Sequence, residues 1–232
     1  RDPMPSKSTA SLAQPLCQPS PARLTELSQA ACDYVHRATS LDLDHTEESL
    51  AFVDHYLRQI GGQTRLRREV EELVAAALGV YVGELLVSRF GGRWLAIPTE
   101  PSKSPSEGTP LLDSLDDPAG WRVELAAAPL ICDPVLWARQ ALQLGRDDSD
   151  DSDDSSVDSE PEGGGLVAPP NLMDRLLEAM ARLPPVSEEY YYSMTGRFET
   201  VSYLVEILVS LQQESRPDEP TENDRDNAAN PQ

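Results

Sequence analysis

The feature that most constrains the fold is a long apolar segment between Arg65 and Trp94. Its apolar residues begin at the spacing of one helical face, with Leu66, Val70, Leu73, Val74 and Ala77. From Val74 to Val87 the segment becomes apolar on nearly every side, and Glu84 is its only charge. A helix that is apolar all round is a buried one, so this segment predicts the central helix of a folded core.

The residues that follow predict a small sheet. Gly91-Gly92 ends the helix, and Arg93–Ile97 has the composition of a strand. Trp121–Leu125 alternates apolar and charged residues, as a half-buried strand does, and we expect it to pair antiparallel with the first strand. Leu130–Cys132 can add a third short strand, and Asp133-Pro134 then begins a helix.

We therefore expect an α+β fold, a predominantly helical single domain around a small antiparallel sheet, over residues 20–214. Further helices are expected to begin near Pro21, Thr46, Asn171, Ser187 and Phe198. Composition predicts disorder in residues 1–19 and 215–232, a mobile loop over 99–120 and a disordered acidic insert over 146–165. We expect Arg1-Asp2-Pro3 to be a cloning remnant and the natural chain to begin at Met4.

The charge distribution narrows the class of partner. The net charge is −21, and the acidic insert alone holds nine acidic residues and one basic residue. Binding to a nucleic-acid backbone needs clustered Lys and Arg, which this chain lacks, so we expect no nucleic-acid partner. Each of Arg65, Arg67 and Arg68 has a glutamate four residues later in the sequence. This helical spacing predicts surface ion pairs.

Cysteine usage and hydropathy predict a compartment. The three cysteines follow no metal-binding or disulfide spacing, which favours free thiols in a reducing cytoplasm. Glu84 interrupts the longest apolar run before the roughly 18–20 residues of a membrane span, so we expect no membrane association. Lys7 and Lys103 are the only lysines among many arginines, a composition typical of a GC-rich bacterial source.

Glu84 is the single residue with the clearest requirement for a partner. A carboxylate among buried apolar side chains must be paired, protonated or in reach of solvent. We expect a structural ion pair that ties the helix to the sheet, with Arg93 or Arg122 as the main candidates and Arg89 as another. Gly79 and Gly83 flatten one face of the same helix and predict a close approach by another element.

Candidate catalytic and metal-binding groups are sparse. Cys32 and His36 lie four residues apart on one helical face, and a thiol or carboxylate hydrolase could use them together with Glu84. No nucleophile elbow, phosphate loop or dinucleotide fingerprint accompanies them. The three histidines lack metal-ligand spacing, so we expect neither a metal nor a cofactor.

Two segments predict a protein-binding surface. Tyr190, Tyr191 and Tyr192 cannot all face inward from one helix, and exposed aromatic rings favour contact surfaces. The acidic insert is expected to attract a basic partner. Its densest part contains Asp150, Asp151, Asp153 and Asp154.

One pattern resembles a family of small uncharacterised bacterial α+β domains. A helix that carries Tyr81-Val82-Gly83-Glu84 leads through Gly91-Gly92 to a strand with Trp94 near its start, and Cys132-Asp133-Pro134 precedes the next helix. The resemblance covers roughly residues 41–145. It implies the α+β fold and carries no activity with it.

The leading functional hypothesis is a non-catalytic cytoplasmic module that binds another protein. Its more specific form is an acidic immunity or inhibitor protein that masks a basic partner. The alternatives are the hydrolase already described and a scaffold or adaptor that uses the acidic insert as a regulated tether. The oligomeric state stays open.

Overall fold

The computed structural model describes residues 17–62, 66–97, 117–144 and 164–214. Within those ranges it confirms the α+β fold, with seven α-helices and a four-stranded antiparallel sheet. The helices are α1 Pro21–Thr39, α2 Leu50–Gly61, α3 Arg68–Phe90, α4 Pro134–Leu144, α5 Pro170–Ala181, α6 Glu188–Tyr192 and α7 Met194–Glu214. The strands are β1 Gly92–Ala96, β2 Trp121–Leu125, β3 Ile131–Cys132 and β4 Leu166–Val167.

The sheet is a meander in the order β1-β2-β3-β4. The predicted antiparallel pairing of β1 with β2 is present, and Trp94 lies opposite Val123. The predicted third strand pairs with β2 through Cys132. The fourth strand, which sequence patterning did not predict, adds Leu166 opposite Cys132 where the chain returns from the acidic insert.

Helix α3 is the centre of the core, as its composition predicts. Its side chains are buried continuously from Val74 to Gly83, and the helix packs against α1 and α4. A Cβ atom on Gly79 would lie 2.5 Å from the Cα atom of Val135, so α4 approaches the α3 backbone directly. The absence of a side chain at Gly79 therefore sets the distance between these two helices.

The first turns of α3 differ from the expected apolar face. Val70 and Leu73 are exposed, at 40% and 44% of their surface, whereas Val74 and Ala77 are buried. The helix enters the core only at Val74. Arg68 on the same turns makes the expected surface ion pair, with its Nε 2.9 Å from Glu72 Oε1.

Helix α3 also has the length and composition of a membrane span, and it is one such helix among the described residues. Glu84 does not shorten the apolar segment below span length, contrary to the expectation from sequence. Of its most apolar 18-residue window, 67% is buried inside the protein. Core helices meet the same criteria of length and composition, so these two properties are weak evidence for a membrane.

Several expectations fall partly outside the described residues. The insert carboxylates Asp150, Asp151, Asp153 and Asp154 lie outside them, as do residues 1–16, 98–116 and 215–232. Three segments expected to lack order have described ends. Cys17 forms an isolated bridge with Ala96, Pro118–Gly120 forms a 3-10 turn, and Gly165 accepts a hydrogen bond from the Asp133 amide.

Candidate functional site

Glu84 joins helix α3 to strand β1. Its Oε1 atom accepts a hydrogen bond from the indole Nε1 of Trp94 at 2.6 Å. Gly83 makes the contact possible, because a Cβ atom there would lie 2.2 Å from the Trp94 ring. The carboxylate is half-buried and has a neutral partner.

The prediction that Glu84 pairs with Arg93 or Arg122 is therefore wrong, because its partner is Trp94. Arg93 lies opposite Glu124 on β2 and pairs with it, with 2.7 Å between Nε and Oε2. Arg122 pairs instead with Asp133, with 2.8 Å between Nη2 and Oδ2. Both arginines therefore have carboxylate partners other than Glu84.

Tyr81 joins α3 to the segment that precedes α2. Its hydroxyl accepts a hydrogen bond from the amide of His45 at 2.9 Å and shares a second one with Ser49 Oγ at 2.6 Å. Burial raises the pKa of Tyr81, which keeps the phenol neutral. Tyr81, Gly83, Glu84 and Trp94 thus hold α3 to its neighbours, and the pattern they form describes the scaffold.

Cys32 and His36 have separate partners. The Cys32 thiol lies 4.0 Å from the carbonyl oxygen of Leu43, and burial together with Asp33 raises its pKa. His36 Nδ1 lies 2.9 Å from Asp42 Oδ1 in a largely exposed contact. A nucleophilic thiol needs a lowered pKa and a base within reach. No hydrogen bond in the described ranges joins any two of Cys32, His36 and Glu84.

The three adjacent tyrosines form a partly exposed aromatic cluster on α6. Tyr190 and Tyr191 each expose 37% of their surface. The Tyr190 hydroxyl donates to the Glu199 carboxylate, which raises the pKa of Tyr190 to about 12. The Tyr191 and Tyr192 rings meet edge to face, with 5.0 Å between their centroids. Ser187 caps α6 by accepting a hydrogen bond from the Tyr190 amide.

Arg197, which sequence reasoning missed, lies beneath this cluster. It is 2% exposed, and its Cζ atom lies 4.3 Å from the centroid of the Tyr191 ring and 5.1 Å from that of Tyr192. Its Nη2 donates to Gln140 Oε1 at 3.0 Å, and its Nε has no hydrogen-bond partner in the part of the chain that the structure describes. The aromatic faces stabilise a buried cation that has no ion pair with a carboxylate among the described residues. Arg197 is the only basic residue between Arg182 and Arg216, a signal that could have drawn attention to it.

Asp54 fixes the junction between α6 and α7. This buried carboxylate on α2 accepts hydrogen bonds from the Met194 amide at 2.6 Å, and from the amide and hydroxyl of Thr195 at 3.1 and 2.6 Å. It therefore caps the N-terminus of α7 from another helix. Burial raises the pKa of Asp54, and these hydrogen bonds oppose the rise.

A cleft of about 280 Å³ lies between α2, α4 and α6. Its walls are mainly apolar, and charged groups lie at its floor and its rim. It is lined by Asp54, Leu57, Arg58, Ala141, Leu144, Glu189, Tyr192 and Ser193. Arg58 and Glu189 form an exposed ion pair across it, with 3.0 Å between Nη1 and Oε1.

Both described ends of the acidic insert border the tyrosines. Leu144, the last described residue before the insert, lines the cleft together with Tyr192. Gly164, the first residue described again near the end of the insert, has a carbonyl that accepts hydrogen bonds from Trp137 Nε1 at 2.9 Å and Arg197 Nη1 at 3.3 Å. A Cβ atom on Gly164 would also lie 3.3 Å from the Tyr191 hydroxyl. We call the surface formed by Leu144, Gly164 and α6 the tyrosine face.

Metal-binding clusters and relatives give no further assignment. No group of three or more His, Cys, Asp or Glu side chains in the described parts of the chain could hold a metal ion. No protein-family model, curated protein or solved structure matches the chain.

Proposed function

We propose that this protein is a non-catalytic module that binds a basic partner protein through the tyrosine face. The observation that carries the proposal is the position of the two described ends of the acidic insert. Leu144 shares a cleft with Tyr192, and the Gly164 carbonyl accepts a hydrogen bond from Arg197, beside the Tyr191 hydroxyl. The described residues that flank the acidic segment therefore lie beside the aromatic cluster, although Gly164 is 27 positions from Tyr191 and Leu144 is 48 positions from Tyr192.

The two features supply different parts of a binding energy. The nine acidic residues of the insert attract a basic protein over distances of about a Debye length, which accelerates association. The partly exposed rings of Tyr190 and Tyr191 supply apolar contact area at short range, where aromatic residues contribute most to affinity. Exposed Leu144 extends this apolar area toward the cleft.

The more specific form of the proposal is a bacterial, cytoplasmic immunity or inhibitor protein that masks a basic toxin. Acidic surfaces suit this role because they speed capture of a basic partner before it acts. The three cysteines, Cys17, Cys32 and Cys132, are free thiols, which supports a reducing compartment. A scaffold role with the insert as a tether uses the same surface and stays an alternative.

No contact among the described residues favours the hydrolase hypothesis. It requires Cys32, His36 and Glu84 to act on one substrate, yet their hydrogen-bond partners are Leu43, Asp42 and Trp94. The raised pKa of the Cys32 thiol reduces its nucleophilic form further.

Affinity capture from an extract of the source organism tests the proposal. Three baits are compared at about 150 mM salt, where exposed charges interact over roughly 8 Å. They are the wild-type chain, an insert variant with Asp150, Asp151, Asp153 and Asp154 replaced by Asn, and Tyr190→Ser/Tyr191→Ser.

We expect one basic protein to be retained by the wild type, weakly by the insert variant and least by the tyrosine variant. The insert variant should slow association, and the tyrosine variant should speed dissociation. Retention of no basic protein, or equal retention by all three baits, would contradict the proposal.

A further inference from the structure

The cleft between α2, α4 and α6 has a charge pattern that selects its occupant. Asp54 lies at its floor and is 7% exposed, whereas Arg58 and Glu189 lie at its exposed rim. Leu57 and Ala141 form apolar walls between these levels. An occupant must therefore pass an ionic rim and an apolar wall before it reaches a buried carboxylate.

Asp54 makes a positive occupant more favourable than a neutral or negative one. Its two oxygens accept three hydrogen bonds, so its charge is oriented, and it has no ion-pair partner among the described residues. An apolar occupant would remove the remaining water from this carboxylate without replacing it. Two carboxylates, Asp54 and Glu189, and one cation, Arg58, line the cleft, so its net charge favours a cation over an anion.

The shape of the cleft favours a long basic side chain over a metal ion. The oxygen atoms that line the cleft are already engaged, those of Asp54 by α7, that of Glu189 by Arg58 and that of Ser193 by the Tyr190 carbonyl, and a metal ion needs several free oxygen ligands. Lys and Arg side chains bury an aliphatic stem along apolar surface and place the charged group at its end.

We infer that this cleft accepts one Arg or Lys side chain of the basic partner, with its stem along Leu57 and Ala141 and its charge toward Asp54. The inference rests on the proposed function and names the anchor of that interface. Glu189 guides the incoming side chain at the rim. The Arg58 and Glu189 side chains are both exposed, so their ion pair is weak. Replacing Arg58 by a cation of the partner in this pair therefore has a small energetic cost.

The first experiment measures occupation of the cleft directly. Methyl signals of Leu57, Ala141 and Leu144 are followed by NMR in the full chain during titration with acetyl-arginine amide. Acetyl-lysine amide is a second probe, and acetyl-citrulline amide is a control of the same size without charge. We expect saturable shifts of these methyl signals with the two cationic probes and none with citrulline. Equal shifts with citrulline, or no shift at the cleft, would overturn the inference.

The second experiment closes the cleft without changing its charge. Ala141→Leu fills the wall, and Leu144→Trp at the exposed rim is a second variant in case the first alters folding, which circular dichroism detects. Gln143→Leu is the matched control, because Gln143 lies on the same helix, is exposed and does not line the cleft. We expect each closing variant to weaken binding of an octa-arginine peptide about tenfold, and Gln143→Leu to bind as the wild type does.

The outcomes separate this inference from the proposed function. If the wild type and both closing variants retain the same basic protein equally in the capture experiment, the cleft is not the anchor but the tyrosine face still binds. If no basic protein is retained at all, both proposals are wrong. If octa-arginine binds only after Arg146→Gln, the chain's own Arg146 occupies the cleft and the inference is overturned.

Discussion

The indole N–H of Trp94 donates a hydrogen bond to the carboxylate of Glu84 at 2.6 Å. This bond joins the end of α3 to the start of β1 across the turn at Gly91-Gly92, where both glycines have positive φ. A side chain on Gly83 would remove the space for the indole ring. The helix and the strand therefore depend on each other through these three residues.

Removing the donor should destabilise the fold more than neutralising the acceptor. Trp94→Phe leaves Glu84 without its partner, and we expect it to reduce the free energy of unfolding by about 1–3 kcal/mol. Glu84→Gln keeps an amide oxygen that can accept the bond, so its cost should be under about 1 kcal/mol. Urea unfolding of both variants and of the double variant measures these values. A larger loss for Glu84→Gln than for Trp94→Phe would contradict the account.

Gly79 should not tolerate alanine although it lies within a helix. The added Cβ would lie 2.5 Å from Val135 Cα and 2.9 Å from the carbonyl oxygen of Pro134, both of which are backbone atoms. We expect a loss of about 2–3 kcal/mol from this clash, which exceeds the gain of about 1 kcal/mol in helix propensity. Thermal unfolding monitored by circular dichroism measures the change.

Gly62→Ala is the matched control. Its φ is −74°, and the nearest atom to an added Cβ is 3.5 Å away. We expect its stability to stay within about 1 kcal/mol of the wild type, with a gain favoured. Similar losses at both glycines would mean that the close contact of α3 with α4 does not decide the effect.

Asp54→Ala should loosen the start of α7. The substitution leaves the amides of Met194 and Thr195 without their acceptor, and we expect a loss of about 2 kcal/mol. Hydrogen exchange at these two amides should become faster than in the wild type. Asp44→Ala is the control, because Asp44 makes similar bonds to Thr46 at an exposed turn, and its effect should be smaller. Unchanged exchange at Met194 after Asp54→Ala would refute the cap.

The sequence predicted the scaffold well because its signals are local. The apolar periodicity of α3 and the alternation of Trp121–Leu125 each extend over neighbouring residues, and both elements form where expected. The partner of Glu84 was missed because several donors follow it in sequence. Once β1 is aligned with β2, Arg93 lies opposite Glu124, which leaves Trp94 as the donor near the helix end.

The candidate site was harder to predict because its contacts are distant in sequence. Asp54 and Met194 are 140 positions apart, and no local pattern indicates that one caps the other. The tyrosine cluster was found from composition alone, whereas the buried Arg197 beneath it and the nearby Gly164 were not. Their proximity depends on how α4, α6 and α7 pack together.

Stability should fall at alkaline pH as tyrosines ionise. The pKa of Tyr190, hydrogen-bonded to Glu199, and that of buried Tyr56 are both raised to about 12 from 10.0. The folded state therefore keeps protons that the unfolded state releases above pH 10, and this contribution to stability is lost between pH 10 and 12. Glu199→Gln should make the decline shallower, and Glu206→Gln on the same helix should not. Equal slopes in both variants would show that Glu199 does not raise the pKa of Tyr190.

The central claim is that a basic protein binds at the tyrosine face, and site-specific photo-cross-linking tests it most directly. Benzoylphenylalanine replaces Val186, which is 52% exposed and lies two residues before α6, or Leu73, which is 44% exposed on α3. Both variants are irradiated in an extract of the source organism, and the cross-linked proteins are identified by mass spectrometry. We expect one basic protein to be captured from position 186 and not from position 73, with the yield reduced by added salt. Capture of no basic protein at position 186, or of the same protein in equal yield at position 73, would contradict the claim.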